Sequence, residues 1–262
     1  MNYGFAAVAC AAFVVVACGA ATAPPPRQGG YLPGPRAPDT IRIVPPAPAA
    51  GSPIGASDQA IFRATRSLKD TPRWALAQND VAQAVPDLMR DFSCAAGADL
   101  TPQKAPRLNA LFSRVGLDVL TAVNRPKDLY KRQRPYLIGG GETCIPQTDA
   151  LAASPDYPSG HATWGWTAGL ILAELAPDRA TDILVRGRAY GESRVVCGVH
   201  SASAVEEART NASALVAALH GDAAFRADLD RARREMGRLR AMPPPLAQAC
   251  AAEATLTAKP PW

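Results

Sequence analysis

Three short segments of this 262-residue chain set cations, a hydroxyl and two histidines where they could act on an oxyanion. The first, PKDLYKRQRPY at 126–136, holds Lys127, Lys131, Arg132 and Arg134 against one acid, Asp128. On a single helix Lys127 and Arg134 would stand two turns apart on one side. Two such cations could clamp one oxyanion, with Arg134 offering a planar fork; the plainer reading is a solvated basic helix face. The second, YPSGHATWGW at 157–166, sets Pro158 and Gly160 in a turn just before an apolar helix. N–H groups at a helix N-terminus attract anions, the Ser159 hydroxyl can donate, and His161 stands where it could protonate a leaving group. Taken alone, SGH reads as an ordinary N-cap turn followed by a partly buried histidine. The third, GESRVVCGVHSASAVEEAR at 191–209, offers Arg194 as an oxyanion ligand and His200 as a nucleophile. The chain has three histidines, and two of them fall in these segments.

The elements that must position these segments read as helices. SDQAIFRATRSL starts at a candidate N-cap, Ser57, and TPRWALAQNDVAQAV at Thr71, with Pro72 in the first helical position where its missing N–H costs nothing. In APRLNALFSRVGLDVLTAVN, Leu108, Leu111, Phe112, Val115, Val119 and Leu120 recur at spacings of three and four, one apolar face. The Gly/Pro-rich stretch IGGGETCIPQTDALAASPDYPSG reads as a long connection, and long connections inside compact domains are often functional. HATWGWTAGLILAEL is apolar nearly all round and belongs at the centre of the fold. PDRATDILVRGRAYGESRVVCG, ASAVEEARTNASALVAALHG and AAFRADLDRARREMGRL supply three more helices. Alternating β patterns are almost absent, IRIV at 41–44 being the exception, so the domain is expected to be all-α, a helical bundle.

Residues 5–17, FAAVACAAFVVVA, form an apolar run of signal-peptide length without a basic n-region. VVAC resembles a lipoprotein box with Cys18 as the lipidated residue; the competing site ends at Ala23, directly before Pro24. Either implies export to a bacterial periplasm, the first as a membrane-anchored lipoprotein. The expected organisation is a leader at 1–23, a Pro-rich arm at 24–55, a helical domain at 56–245 and a tail at 246–262. Four cysteines outside the leader, Cys94, Cys144, Cys197 and Cys250, suggest up to two disulfides in an oxidising compartment, with three connectivities open. None of them shows CxxC spacing, which argues against zinc. A net charge of +5 with no aromatic-rich basic stretch leaves anionic small molecules as partners and argues against nucleic acid.

Together the three segments resemble a known signature. Lys127 with Arg134-Pro135, then Pro158-Ser159-Gly160-His161, then Ser193-Arg194 with His200 match, in order, the three-part motif shared by type-2 phosphatidic acid phosphatases, bacterial non-specific acid phosphatases and vanadium haloperoxidases. TPRWALAQND, DFSCAAG, Tyr130, Arg132 and GESRVVCG bring the chain nearest to the bacterial class A acid phosphatases, over roughly residues 57–220. The resemblance implies a helical bundle with the site among its central helices. It implies that Lys127, Arg134, Ser159, Gly160 and Arg194 hold the phosphoryl oxygens, that His200 attacks phosphorus to give a phosphohistidine, and that His161 protonates the leaving alcohol. No metal or other cofactor is required, since lysine and arginines neutralise the charge; the substrates would be small phosphomonoesters, and a homodimer is expected from the relatives. One position departs. In the family an aspartate four residues after the nucleophile accepts its other ring N–H, and here that position is Ala204. Ser201, Ala202 and Val199 also differ from the family pattern, while Ser203 and Glu207 stand nearby as substitutes. Two readings follow: an acid phosphatase slowed by Ala204, or an envelope lipoprotein that binds phosphate or a phosphoester without turning it over.

Overall fold

The computed structural model describes residues 1, 29–242 and 247–262. The leader with its two processing sites, Cys18 and Ala23, lies outside the described residues. In chain order the α-helices are Thr40–Ile43 (α1), Pro53–Thr65 (α2), Pro72–Asn79 (α3), Val85–Ala96 (α4), Pro106–Tyr130 (α5), Pro135–Gly139 (α6), Asp149–Ala153 (α7), Gly160–Leu175 (α8), Ala180–Val196 (α9), Ala202–Leu219 (α10), Ala223–Arg240 (α11) and Ala247–Thr257 (α12). Among the described residues there is no strand, and no helix is long and apolar enough to cross a membrane. The all-α expectation holds.

Helix starts follow local chemistry. Thr71 accepts the Trp74 N–H and Pro72 opens α3, as the sequence predicts. That helix stops at Asn79 instead of running on through VAQAV, and α4 begins separately at Val85. The preceding helix begins earlier than expected: Ser52, not Ser57, is its cap, accepting the Gly55 N–H at 3.1 Å, with Pro53 at the first position. IRIV is a turn of helix rather than a strand; Thr40 and Val44 are buried, and no neighbouring strand offers it a ladder.

Helix α8 lies at the centre, packed on α9, α10 and α5. Its apolar residues Trp164, Ile171 and Leu172 join Phe92, Leu111, Phe112 and Leu215 in the main core. The Phe112 and Trp164 rings meet edge to face at 5.7 Å, a favoured aromatic geometry. On α5, Leu108, Leu111, Phe112, Val115 and Val119 face this core, but Leu120 is 57 % exposed. One residue past Val119 the helix has rotated about 100° and the side chain has left the buried stripe.

The arm is anchored to this bundle. Asp118 on α5 accepts the N–H groups of Tyr31 and Leu32 at 2.7 and 2.9 Å, and both of those side chains are buried. The Tyr31 ring lies under the Arg114 guanidinium at 3.7 Å, and its hydroxyl donates to Asp228 on α11. Further on, the Tyr130 hydroxyl donates to Val44 O and the Tyr157 hydroxyl to Pro45 O. Two disulfides select one of the three pairings: Cys94–Cys250 ties α12 to α4, and Cys144–Cys197 ties the long connection to the end of α9. Replacing Asp118 by Ala strands two buried N–H groups. We expect a loss of about 1–3 kcal/mol in urea unfolding, with faster proteolysis within residues 29–50 of the folded protein.

Candidate active site

The first segment is assembled by a chain reversal, not by helix periodicity. Helix α5 ends at Tyr130, Lys131 adopts a left-handed φ of 44°, and Arg134 is the N-cap of α6. Pro135 accounts for the last of these, because the residue before a proline is driven out of the helical region; Arg134 sits at φ −69°, ψ 148°. Lys127 and Arg134 therefore stand on different elements, correcting the two-turn picture, and the reversal brings both to one buried site. Nor is the segment simply a solvated basic face. Lys131 is exposed, whereas Lys127 and Arg134 are buried. Lys127 Nζ donates to Pro155 O. Arg134 donates to Ser154 O through Nε and to Val199 O through Nη1, both at 2.7 Å. Its Nη1 also lies 3.2 Å from His200 Nε2.

The second segment is the N-terminus of α8. Ser159 caps it, its Oγ accepting the Ala162 N–H at 3.2 Å, which leaves the hydroxyl proton free to point elsewhere. The Gly160 and His161 N–H groups have no intrahelical acceptor, being in the first turn. His161 Nε2 donates to Asp80 O, and its Nδ1 is buried without a partner. The imidazole is stacked on the Tyr190 ring at 4.6 Å. Gly165, one turn along α8, makes that stacking feasible, since a Cβ there would run into the Tyr190 ring.

The third segment spans the end of α9 and the turn to α10. Arg194 is buried, and among the described residues its Nε and Nη1 have no hydrogen-bond partner. Its carbonyl accepts the Val199 and His200 N–H groups at 3.1 and 3.3 Å, folding the turn back on the helix. Gly198 within that turn has φ +79°, a region open to glycine and strained for other residues. His200 Nδ1 donates to the Asp156 carbonyl at 2.7 Å and to Asp156 Oδ1 at 3.0 Å. Its Nε2 therefore carries the lone pair and accepts from Arg134.

Lys127, Arg134 and Arg194 are 8, 4 and 5 % exposed, and among the described residues none of them lies in an ion pair. Burial, followed by the Arg134 charge, pulls Lys127 down to about 8. Burial brings Arg194 down to about 10. Both histidines sit well below the usual range. Burial is the main cause in each; Arg194 adds to it at His161, and Arg134 and Lys127 add to it at His200. Both rings therefore favour the neutral form. A bound anion would offset part of the surrounding positive charge and so favour protonation.

Of the residues singled out from sequence, Lys127, Arg134, Ser159, Gly160, His161, Arg194 and His200 occur within these three joined elements. Direct hydrogen bonding links Arg134 to His200. Neither substitute near Ala204 reaches His200. Ser203 instead bonds Asp58 and Arg132. Glu207 lines a separate 580 Å³ hollow with Ile54 and Trp262. Three residues went unnoticed in the sequence. Asp156 holds His200, while Asp80 holds His161 through its carbonyl and Arg186 and Ser193 through its carboxylate. Tyr190 backs His161. An acid directly before YPSGH was the available signal for Asp156; the other two depend on tertiary contacts. Among the described residues no cluster of His, Cys, Asp and Glu has the make-up of a metal site.

Comparison with known proteins places the chain in a family. The PAP2 superfamily profile matches residues 108–225, which contain all three segments. The acid phosphatase of Zymomonas mobilis subsp. mobilis is 40 % identical over 203 residues, 77 % of each chain. The non-specific acid phosphatase of Providencia stuartii is 36 % identical over 212 residues, covering 80 % of this chain and 86 % of that one. That of Salmonella typhimurium is 32 % identical over 195 residues, 74 % of this chain and 78 % of its own. With its three motifs on joined helix ends and this extent of likeness, the chain belongs to the PAP2 superfamily, in the branch of the bacterial non-specific acid phosphatases.

Proposed function

We propose that the protein is an acid phosphatase that hydrolyses small phosphomonoesters through a phosphohistidine on His200. The observation that carries this is a buried group of three cations without anionic partners among the described residues, in which two Arg194 nitrogens are orphaned and Arg134 touches the lone-pair nitrogen of His200. Buried unpaired donors are costly unless a ligand meets them. A phosphoryl group supplies the missing acceptors, with Lys127, Arg134, Arg194, the Ser159 hydroxyl and the Gly160 N–H around its oxygens. His200 Nε2 attacks phosphorus as the P–O bond to the alcohol breaks, and His161 Nδ1–H gives its proton to the departing oxygen. His161 then takes a proton from water as that water displaces the histidine nitrogen. Depressed basicity favours the unprotonated nucleophile at His200, where Arg134 already donates to Nε2, whereas the unpartnered Nδ1 of His161 can take up a proton as the substrate's charge offsets the cations. The leader sequence and the two disulfides support placing the enzyme in a periplasm.

Turnover of p-nitrophenyl phosphate in EDTA between pH 4 and 8 tests this reading. His200→Ala should lower kcat by a factor on the order of 10⁴ or more and abolish a phosphoenzyme that is labile in acid. His161→Ala should cost on the order of 10²–10⁴ with alkyl phosphates, and less with the better p-nitrophenolate leaving group. Binding without turnover in the native protein would return the envelope binding-protein reading.

Stability should report the neutral histidines. Their folded values lie below the unfolded one, so between pH 6.5 and the folded value the unfolded chain binds more protons. Stability is therefore lost as pH falls below about 6.5, by up to about 1.4 kcal/mol per pH unit for each histidine. Urea unfolding of His200→Asn at pH 7 and pH 5 should show a slope shallower by up to one proton.

A further inference from the structure

We propose that Asp156 is the positioning carboxylate of His200, performing from the loop before α8 the task that Ala204 cannot perform from α10. This rests on His200 being the nucleophile. The carboxylate is fully buried, with Oδ1 at 3.0 Å from His200 Nδ1. Each of its oxygens is surrounded by donors. Oδ1 also accepts the Ser201 N–H at 3.0 Å, Oδ2 accepts the Ser201 hydroxyl at 2.8 Å, and Arg132 Nε lies 3.6 Å from Oδ2. A carboxylate in that setting acts as an acceptor, which fixes the proton of His200 on Nδ1 and leaves Nε2 free for attack.

The supporting shell is continuous. The Asp156 N–H donates to Arg132 O at 2.8 Å. The Arg132 guanidinium is held in turn by Asp58 at 2.6 Å and by Ser203 Oγ at 2.7 Å. Ser201 is the N-cap of α10 yet makes no side-chain cap, because its hydroxyl is turned to Asp156. That turn of Ser201 gives a physical role to one of the residues that had drifted around His200. Ala204, meanwhile, is fully buried against Val44 and Tyr157, and its carbonyl accepts the Ser159 N–H at 2.9 Å. Its methyl fills space among apolar groups, and a carboxylate there would be a second buried anion close to the first. The competing view is that the Asp156 carbonyl, at 2.7 Å from Nδ1, orients the ring by itself.

The test compares Asp156→Asn, Asp156→Ala, Ala204→Asp, Ser201→Ala and the double variant Asp156→Ala/Ala204→Asp. Readouts are kcat, single-turnover phosphoenzyme formation and the inhibition constant of inorganic phosphate. Both Asp156 variants should lose on the order of 10²–10³ in kcat and in phosphoenzyme formation. Phosphate should bind as well as before or more tightly, since the cations remain and an anion has gone; a merely structural defect would weaken both. The double variant should recover at least about tenfold over Asp156→Ala, although Ala204→Asp alone is harmful. Should the Asp156 variants fail to fold, Ser201→Ala, which removes one donor to the carboxylate, should lower kcat several-fold with phosphate inhibition unchanged; full activity there overturns the proposal. Asp156→Asn within about threefold of native activity also overturns it and leaves the carbonyl as sole orienter. An active His200→Ala removes the nucleophile and this proposal together, whereas an inactive His200→Ala beside an unimpaired Asp156→Asn removes this proposal alone.

Discussion

Burying three like charges beside one another is the constraint around which the rest of the bundle is arranged. Lys127, Arg134 and Arg194 come from the end of α5, the cap of α6 and the last turn of α9, and none has a carboxylate within ion-pair distance among the described residues. Carbonyl oxygens of Pro155, Ser154 and Val199 meet part of their donor capacity instead. Dipoles of this kind tolerate a cation without neutralising it, so the field in the site stays positive. A carboxylate paired directly with Arg194 would have relaxed the strain and closed the site to anions. Asp156 is set behind His200, hydrogen-bonded to its Nδ1, and its charge offsets part of the field at Lys127 and Arg134 without pairing with either.

The two histidines are handled in the same manner with opposite ring nitrogens. Each has one nitrogen tied to a backbone carbonyl in a loop: His161 through Nε2 to Asp80, and His200 through Nδ1 to Asp156. The nitrogens left without a carbonyl partner are therefore Nδ1 in the first and Nε2 in the second. In both cases an aspartate supplies the carbonyl, and its side chain braces the surroundings: Asp80 grips Arg186 and Ser193 next to Arg194, while Asp156 grips Ser201 next to His200. A single residue thus fixes both a tautomer and the backbone that carries the neighbouring site residue.

Much of this was legible in the sequence, for reasons that can be separated. The motif residues were readable because chemistry restricts their types and because each lies at a helix end marked by Pro, Gly or Ser. The apolar stripe of α5 was readable from its period as far as Val119, and failed at Leu120 where only packing decides. Lys127 and Arg134 were readable as partners but not as residues of separate elements, since the helix that their spacing suggests ends at Tyr130 and a new one opens at Pro135. Asp156 was hidden because a carboxylate can reach a histidine from 44 residues away in sequence as readily as from four. Position 204 was the local place to look, and tertiary structure supplied the acid from elsewhere. The disulfide pairing, too, needed three-dimensional proximity.

The Cys144–Cys197 bridge has a bearing on how easily the helix ends of the site come together. It closes a loop with a sequence separation of 53, and inside that loop lie Ser159, Gly160, His161 and Arg194. A cross-link of that span removes much of the open chain's freedom, so the two helix ends that bear these residues are easier to bring together once it has formed. While the thiols are reduced, α8 and α9 must meet without that help. Oxidation of this pair thus acts as a clasp on the two helix ends, and a reducing environment withdraws that support.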